Sequence, residues 1–258
     1  RTLYIDGDTI VAGAPRDDEA CPANVNCDSG SAYVFVRSGA RWIEQAKLVP
    51  ADGEQGDRFG QAVAISGDVI VVGSPNHDGA AVLGGSVYVF RRTGTVWSQE
   101  AELVAGDATF EDHLGASVSV SGDTIVAGAP VRAFIGSRPG AAYVFARQGG
   151  AWGEQAKLDA SDAFDSDLFG LSVAGEGDRI AVGAPGNDGA CPASFWCDSG
   201  SAYVYERAGS TWTEVQKLVA SDMDADDSFG HSLALDGDTL LVGAPNGAGP
   251  GCPPSIDG

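Results

Sequence analysis

Along this chain apolar and polar residues either alternate with a period of two or run apolar for about five positions, and glycine or proline interrupts every run before it could wind into a helix. Short strands are the predicted element throughout. Five runs share one design, in which a Gly-Asp turn leads into an apolar strand that ends in a small residue and proline: Gly7-Asp8 to Ala14-Pro15, Gly67-Asp68 to Ser74-Pro75, Gly122-Asp123 to Ala129-Pro130, Gly177-Asp178 to Ala184-Pro185 and Gly237-Asp238 to Ala244-Pro245. Sixteen residues ahead of the last four prolines stands Phe59-Gly60, Leu114-Gly115, Phe169-Gly170 or Phe229-Gly230. An aromatic strand begins at Gly30, Gly85, Gly140 and Gly200, followed by Trp42, Trp97, Trp152 and Trp212. The period is 55 or 60 residues. Self-similarity of that length means that each unit is one supersecondary block, which buries its apolar faces only by packing on its neighbours.

Each unit reads as four strands. The first, Phe59 to Ile65, sets Phe59, Val63 and Ile65 on one face and Gly60, Ala62 and Ala64 on the other, so the small face belongs where backbones crowd together. The second, Val69 to Gly73, is apolar on both faces and therefore covered on both. The third is β-branched and aromatic, as in Ser86 to Phe90; the fourth, such as Trp152 to Leu158, carries more charge and suits an outer edge. Four antiparallel strands graded from tiny to polar describe a wedge, and wedges about an axis make an all-β propeller. A stacked solenoid would repeat at about 20 to 30 residues per coil. The expected arrangement is a single domain over residues 1–258, with blades at 1–57, 58–112, 113–167 and 168–227 and a partial blade at 228–258.

The Phe-Gly pair followed by Gly-Ala-Pro resembles the FG-GAP repeat of integrin α-subunit propellers, and the short Ser-Gly-Asp turn resembles the bacterial FG-GAP proteins. The resemblance covers essentially the whole chain and implies a propeller of about seven blades. Since the chain opens and closes inside a repeat, it reads as a piece of such a protein holding four blades and half of a fifth. Integrin propellers carry calcium on a longer loop between strands one and two. Here the equivalents are tight turns such as Ser66-Gly67-Asp68 and Ser121-Gly122-Asp123, so those ligands are not carried over. Asp8, Asp68, Asp123, Asp178 and Asp238 read instead as turn residues tolerating positive φ.

Charge narrows the partners. A net charge of −21 and a pI near 4.2 disfavour nucleic acid and anionic lipid, and no apolar stretch approaches the roughly 18 to 20 residues of a membrane helix. Cys21 and Cys27 enclose Pro-Ala-Asn-Val-Asn, and Cys191 and Cys197 enclose Pro-Ala-Ser-Phe-Trp. Two matched pairs in equivalent loops predict local disulfides and an oxidising, extracellular or cell-surface location. Their spacing is wrong for a zinc knuckle, and Cys252 finds no partner within the chain.

Candidate sites follow from the topology. Hairpins joining strands one to two and three to four share one face; the loops joining two to three, and four to the next blade, share the other, here called upper. Only the stretch from the proline to the aromatic strand varies in length, fifteen residues in repeats one and four and ten in repeats two and three, which marks the upper face for recognition. Phe195 and Trp196 are the first candidates for a binding hot spot there, and Phe134 and Ile135 the next. The upper crossing loops are acidic, with Asp52, Asp107, Asp162 and Asp222 seven positions before the pair and Asp57, Asp112, Asp167 and Asp227 two before it. Hard oxygen donors so close suit calcium, with Asp222, Asp224, Asp226 and Asp227 as the strongest set and Asp162, Asp165 and Asp167 as the next; Asx-type turn capping accounts equally for the recurrence. On the lower face Arg37, Arg92, Arg147 and Arg207 recur, giving an expected polarity of acid above and base below.

No catalytic set emerges, because His77, His113 and His231 occupy three different repeat positions and no nucleophile stands in a partnered motif. The repeat tryptophans fit packing between blades better than sugar stacking. The expected function is a non-enzymatic extracellular module binding protein or glycan through its upper loops. Two rivals remain: a lectin with repeated glycan pockets, and an accessory propeller docked to neighbouring domains of a secreted enzyme.

Overall fold

The computed structural model describes residues 2–18, 27–130, 139–188 and 197–247. All regular elements among them are strands, and no helix is long and apolar enough to cross a membrane. Strands β1 (Leu3–Asp6), β2 (Thr9–Ala14), β3 (Ser31–Ser38) and β4 (Arg41–Leu48) pair antiparallel, in chain order, as one sheet. The next sheet holds β5 (Ala62–Ser66), β6 (Val69–Ser74), β7 (Ser86–Thr93) and β8 (Val96–Leu103). The third comprises β9 (Ser117–Ser121), β10 (Thr124–Ala129), β11 (Ala141–Gln148) and β12 (Ala151–Leu158), and the fourth β13 (Ser172–Glu176), β14 (Arg179–Ala184), β15 (Ser201–Ala208) and β16 (Thr211–Leu218). β17 (Ser232–Asp236) and β18 (Thr239–Gly243) form a two-stranded fifth sheet.

The sheets converge at one edge. β1, β5, β9, β13 and β17 each lie against the next first strand in line, whereas β4, β8, β12 and β16 meet only sparsely. Sheets that close up along the first strand and splay apart along the fourth turn about an axis; a straight stack would keep both edges equally spaced. The fold is therefore a β-propeller arrangement with first strands at the hub, and the solenoid alternative fails.

Apolar burial lies between sheets. One cluster joins Val11, Val34 and Leu48 of the first sheet to Phe59, Val63, Ile65 and Tyr88 of the second. Ala62, Ala64, Val71 and Val89 leave the second sheet by its opposite face and meet Leu114, Val118, Ile125 and Tyr143 of the third. Val126 and Val144 repeat the step onto Phe169, Val182 and Tyr203. The large and small faces inferred for Phe59 to Ile65 thus serve two different interfaces. The first strand is shorter than predicted, beginning at Ala62, because Arg58 (φ 57°) and Gly60 (φ 88°) bend the chain on either side of Phe59. Phe59 instead makes a parallel bridge to Gly30 in the preceding sheet.

Glycine is required where successive blades touch. A Cβ built on Gly73, in the second strand of one blade, would stand 1.9 Å from the carbonyl oxygen of Gly115 in the next. Gly13 meets Gly60, Gly128 meets Gly170 and Gly183 meets Gly230 in the same way. Gly73 has no positive φ, so proximity of backbone alone excludes a side chain there. In the lower hairpins φ does matter: Gly7, Gly67, Gly122, Gly177 and Gly237 lie between 53° and 57°, while the aspartates that follow stay out of the left-handed region. The expectation of positive φ at those aspartates is corrected accordingly. A glycine at the first central position is what a type II′ hairpin asks for, and it leaves the aspartate free to use its side chain.

The contrast can be measured by denaturant unfolding. Gly73→Ala should destabilise by about 3 kcal/mol or more, since the new methyl meets backbone that cannot swing aside. Gly94→Ala, at φ 64° with open space around it, should lose only about 1 kcal/mol. Equal losses would show that backbone proximity is not what holds the blades together.

Candidate functional site

Every third-to-fourth strand pairing carries a register shift at one step, between Val34 and Phe35, Val89 and Phe90, Val144 and Phe145, and Val204 and Tyr205. The extra residue on the outer strand is Gln45, Glu100, Gln155 or Val215, and a bulge re-aims its side chain. Gln45 accepts a 2.9 Å hydrogen bond from Trp97 Nε1 of the next blade, and Gln155 does the same for Trp212. Glu100 takes Trp152 Nε1 at 3.5 Å together with Arg91 and Arg147. Trp97, Trp152 and Trp212 are inter-blade packing residues, with Arg92 and Arg207 stacked over Trp97 and Trp212, whereas Trp42 of the first blade is exposed.

Upper loops are fastened to the neighbouring blade at their bases. Cys27 and Cys197 are buried, and their amides donate to Oδ1 of Asp18 and Asp188 at 2.8 and 2.7 Å. Their carbonyls accept from Gly56 N and Asp226 N, and the next two residues continue onto Arg58 and Phe59, or onto Ser228 and Phe229. The shorter second loop copies this with Val82, Leu83 and Gly84 accepting from Glu111, His113 and Leu114. A loop of variable length therefore springs from a fixed, hydrogen-bonded base. Cys21, Cys191, Phe134, Ile135, Phe195 and Trp196 lie outside the described residues.

A cavity of about 470 Å³ opens at the hub on this face. The residues ahead of each Phe-Gly or Leu-Gly pair, Arg58, His113, Leu168 and Ser228, line it together with Pro75, Pro130 and Pro185, and His231 enters just after the last pair. The three histidines showed no common repeat position, yet two of them line this cavity, His113 just before Leu114-Gly115 and His231 just after Phe229-Gly230. The turn of successive blades about the hub brings them to one cavity, so spacing along the chain carried no signal. His113 Nδ1 meets the carbonyl oxygen of Pro75 at 3.0 Å. Exposed apolar residues on the same side were also missed: Phe110 and Phe164 in crossing loops, and Val82, whose carbonyl accepts from the residue after Phe110.

The recurrent upper carboxylates act as clamps and caps. Tyr88, Tyr143 and Tyr203 donate to Asp52, Asp107 and Asp162 at 3.0, 2.6 and 2.7 Å, tying each crossing loop to the following blade. Lys157 and Lys217 add ion pairs to Asp107 and Asp162. The Lys157 hydrogen bond holds Asp107 below the ordinary carboxylate range; burial pushes Asp162 upward, but Lys217 and Tyr203 draw it down on balance. The second series closes its own turn: Asp57, Asp112, Asp167 and Asp227 accept from the amides of Glu54, Thr109, Phe164 and Asp224, three residues back. Asp167 is raised by burial against the hydrogen bonds from Phe164 and Asn187. Asp162, Asp165, Asp222, Asp224 and Asp226 are exposed, and neither set proposed for calcium brings three ligand atoms within 4.8 Å of one another among the described residues.

On the lower face the predicted basic character is corrected. Arg37, Arg92 and Arg207 each pair with the turn aspartate of the neighbouring hairpin in their own blade, Asp8, Asp68 and Asp178, at 2.7, 2.7 and 2.5 Å. Arg147 turns to Glu100 at 2.8 Å. The carboxylates freed by the glycine-led turns neutralise the arginines, so the two faces differ less than the sequence pattern implied.

A family model described as FG-GAP repeat matches residues 2–35, 42–90, 97–145, 152–205 and 212–252. Four of the five matches start at a tryptophan, so the recurring unit takes the outer strand of one sheet with three strands of the next. No curated protein matches the chain.

One clamp can be tested by pH. Burial pushes Asp17 upward, yet hydrogen bonds from Ser31, Lys47 and Tyr33 outweigh it and hold the carboxyl near about 2, against an ordinary value of 3.8. A folded pKa below the unfolded one stabilises the fold above the unfolded value, and that contribution is lost as pH falls through about 2. Equilibrium unfolding should show wild type losing about 1 to 2 kcal/mol more than Asp17→Asn between pH 5 and pH 2, after allowance for partial exposure. Parallel curves would mean that the contacts to Asp17 add nothing.

Proposed function

Because the chain belongs to the FG-GAP repeat family, we propose that it is a non-catalytic extracellular interaction module, a single propeller domain that binds a protein or glycan ligand with its upper face. The observation that carries this reading is the union of variable loops with an invariant base. Loops of two lengths leave the same hydrogen-bonded platform, and Asn76, Gly186 and Asp198 at the bases of two of them line a cavity at the hub. Phe110, Phe164 and Val82 offer apolar contact area beside them, in the manner of residues that anchor interfaces. Chemistry on a substrate finds less support, since His113 is engaged with a backbone carbonyl and not with a nucleophile.

Cys27 pairs with Cys21 and Cys197 with Cys191 in this reading. Each bridge closes a seven-residue loop on a base held by an aspartate, which suits an oxidising compartment. Phe195 and Trp196 fall within the second of these loops and are the first candidates for ligand contact. Phe134 and Ile135, in the equivalent loop of the third repeat, are the next candidates.

Peptide mapping without reductant should recover Cys21 joined to Cys27 and Cys191 to Cys197; alkylation of all four cysteines in the untreated protein would refute the bridges. For the ligand, immobilised glycans and a panel of extracellular proteins should yield at least one partner. The Phe195→Ala, Trp196→Ala double variant and the Phe110→Ala, Phe164→Ala double variant are compared with wild type against it. Loss of tenfold or more in affinity at unchanged thermal midpoint, about 1.4 kcal/mol, places the ligand on the upper face. Undiminished affinity in both variants would move the binding surface elsewhere, and silence across both panels would count against the interaction reading as a whole.

A further inference from the structure

The second blade departs from its sisters at one upper-face node, in two positions at once. The residue two after the strand-ending proline is Asp17 in the first blade, Asn187 in the fourth and His77 in the second. The facing residue on the outer strand is Lys47, Lys157 and Lys217 in the first, third and fourth blades, and Glu102 in the second. Elsewhere that lysine caps the tyrosine ring and neutralises a carboxylate. Here a cation has been replaced by an anion, and an imidazole has been placed opposite it.

The imidazole is set in a fixed pose. The His77 side chain is nine-tenths buried, edge-on to Tyr88. Its Nδ1 lies 3.0 Å from Oδ2 of the buried Asp57, which also accepts the amide of Glu54. A carboxylate beside Nδ1 keeps the proton on that nitrogen, so the Nε2 lone pair points the other way. It faces Oδ2 of Asp52 at 3.9 Å and Oε1 of Glu102 at 3.6 Å. Those separations exceed a hydrogen bond, and they lie close to the edge of roughly 3.3 Å expected between ligands about 2.0 Å from a tetrahedral ion. Both carboxylates are themselves oriented, Asp52 by Tyr88 through its other oxygen and Glu102 by Ser86. Among the described residues this is the one group of three whose ligand atoms all fall within 4.8 Å.

We propose that Asp52, His77 and Glu102 form a binding site for a divalent transition-metal ion of the zinc class, with Asp57 as the hydrogen-bond partner that fixes the imidazole. Three carboxylates about a single imidazole leave a surplus of negative charge that a divalent ion neutralises. A nitrogen ligand selects zinc-like ions over calcium or magnesium, which take oxygen. The site joins three separate segments of chain: the loop entering the blade, the loop after its second strand, and its outermost strand. Occupancy would therefore pin the start of an upper loop to its own blade.

The probe is Zn²⁺ itself, titrated calorimetrically near neutral pH into the whole chain after chelator stripping. One ion per chain should bind, with a raised thermal midpoint, and excess Ca²⁺ should not displace it. The variant His77→Asn, Glu102→Lys installs the pair that the fourth blade already carries, so it should fold normally and lose at least tenfold in affinity. Asp57→Asn supplies an independent check and should weaken binding by roughly 10- to 100-fold. Replacing cobalt for zinc should give a visible absorption band in wild type that the double variant lacks. No uptake up to about 100 µM Zn²⁺, or equal uptake by wild type and both variants, would overturn the proposal and leave His77 as a protonated partner of its three carboxylates.

Discussion

Everything in this fold depends on backbone meeting backbone at the hub. Where the second strand of one blade passes the glycine pair of the next, the gap between main chains is too small for a single methyl group. Removing the side chain at both partners lets two sheets approach at their inner edges, while the aromatic and branched residues further out hold them apart. That gradient in side-chain size along each strand order sets the angle between sheets. The propeller is thus a geometric result of where glycine, alanine and serine are permitted and where phenylalanine, tyrosine and tryptophan are placed.

Outward from the hub the interfaces change character. Close to the axis they are main-chain bridges such as Phe59 to Gly30; midway they are the three apolar clusters; at the rim they are single polar clasps from a bulged residue to an indole. Apolar burial supplies most of the stabilisation, and the clasps contribute direction, since an indole N–H has only one acceptor within reach. The upper carboxylates serve the same end. Each Tyr-to-Asp bond crosses from a crossing loop to the blade it leads into, so the loops inherit the rigidity of the sheets.

Most of the fold could be read from the chain because it is written several times. Recurrence separated the Phe-Gly, Gly-Ala-Pro and tryptophan positions from the loops between them, and alternation assigned faces to Phe59 through Ile65 with the two interfaces now seen. What recurrence could not show was anything that happens once or across blades. That His113 and His231 line one cavity depends on how the blades turn about the hub, and the pairing of Arg37 with Asp8 depends on two hairpins curling toward each other. The Gly-Asp turns misled for a simpler reason: either residue tolerates positive φ, and only the backbone reveals that glycine takes it. The His77 node was hidden because its members lie 25 residues apart on either side, at Asp52 and Glu102.

The offset between the recurring unit and the sheet has an evolutionary corollary. A copy that begins at the tryptophan carries the outer strand of one blade and the inner three of its successor, so each duplication brings along a finished seam. Whole copies can be gained or lost by such an array without inventing a new contact, because every junction is cut to the same template. Divergence is then channelled into the stretch between proline and aromatic strand, where novelty can accumulate without disturbing the joints.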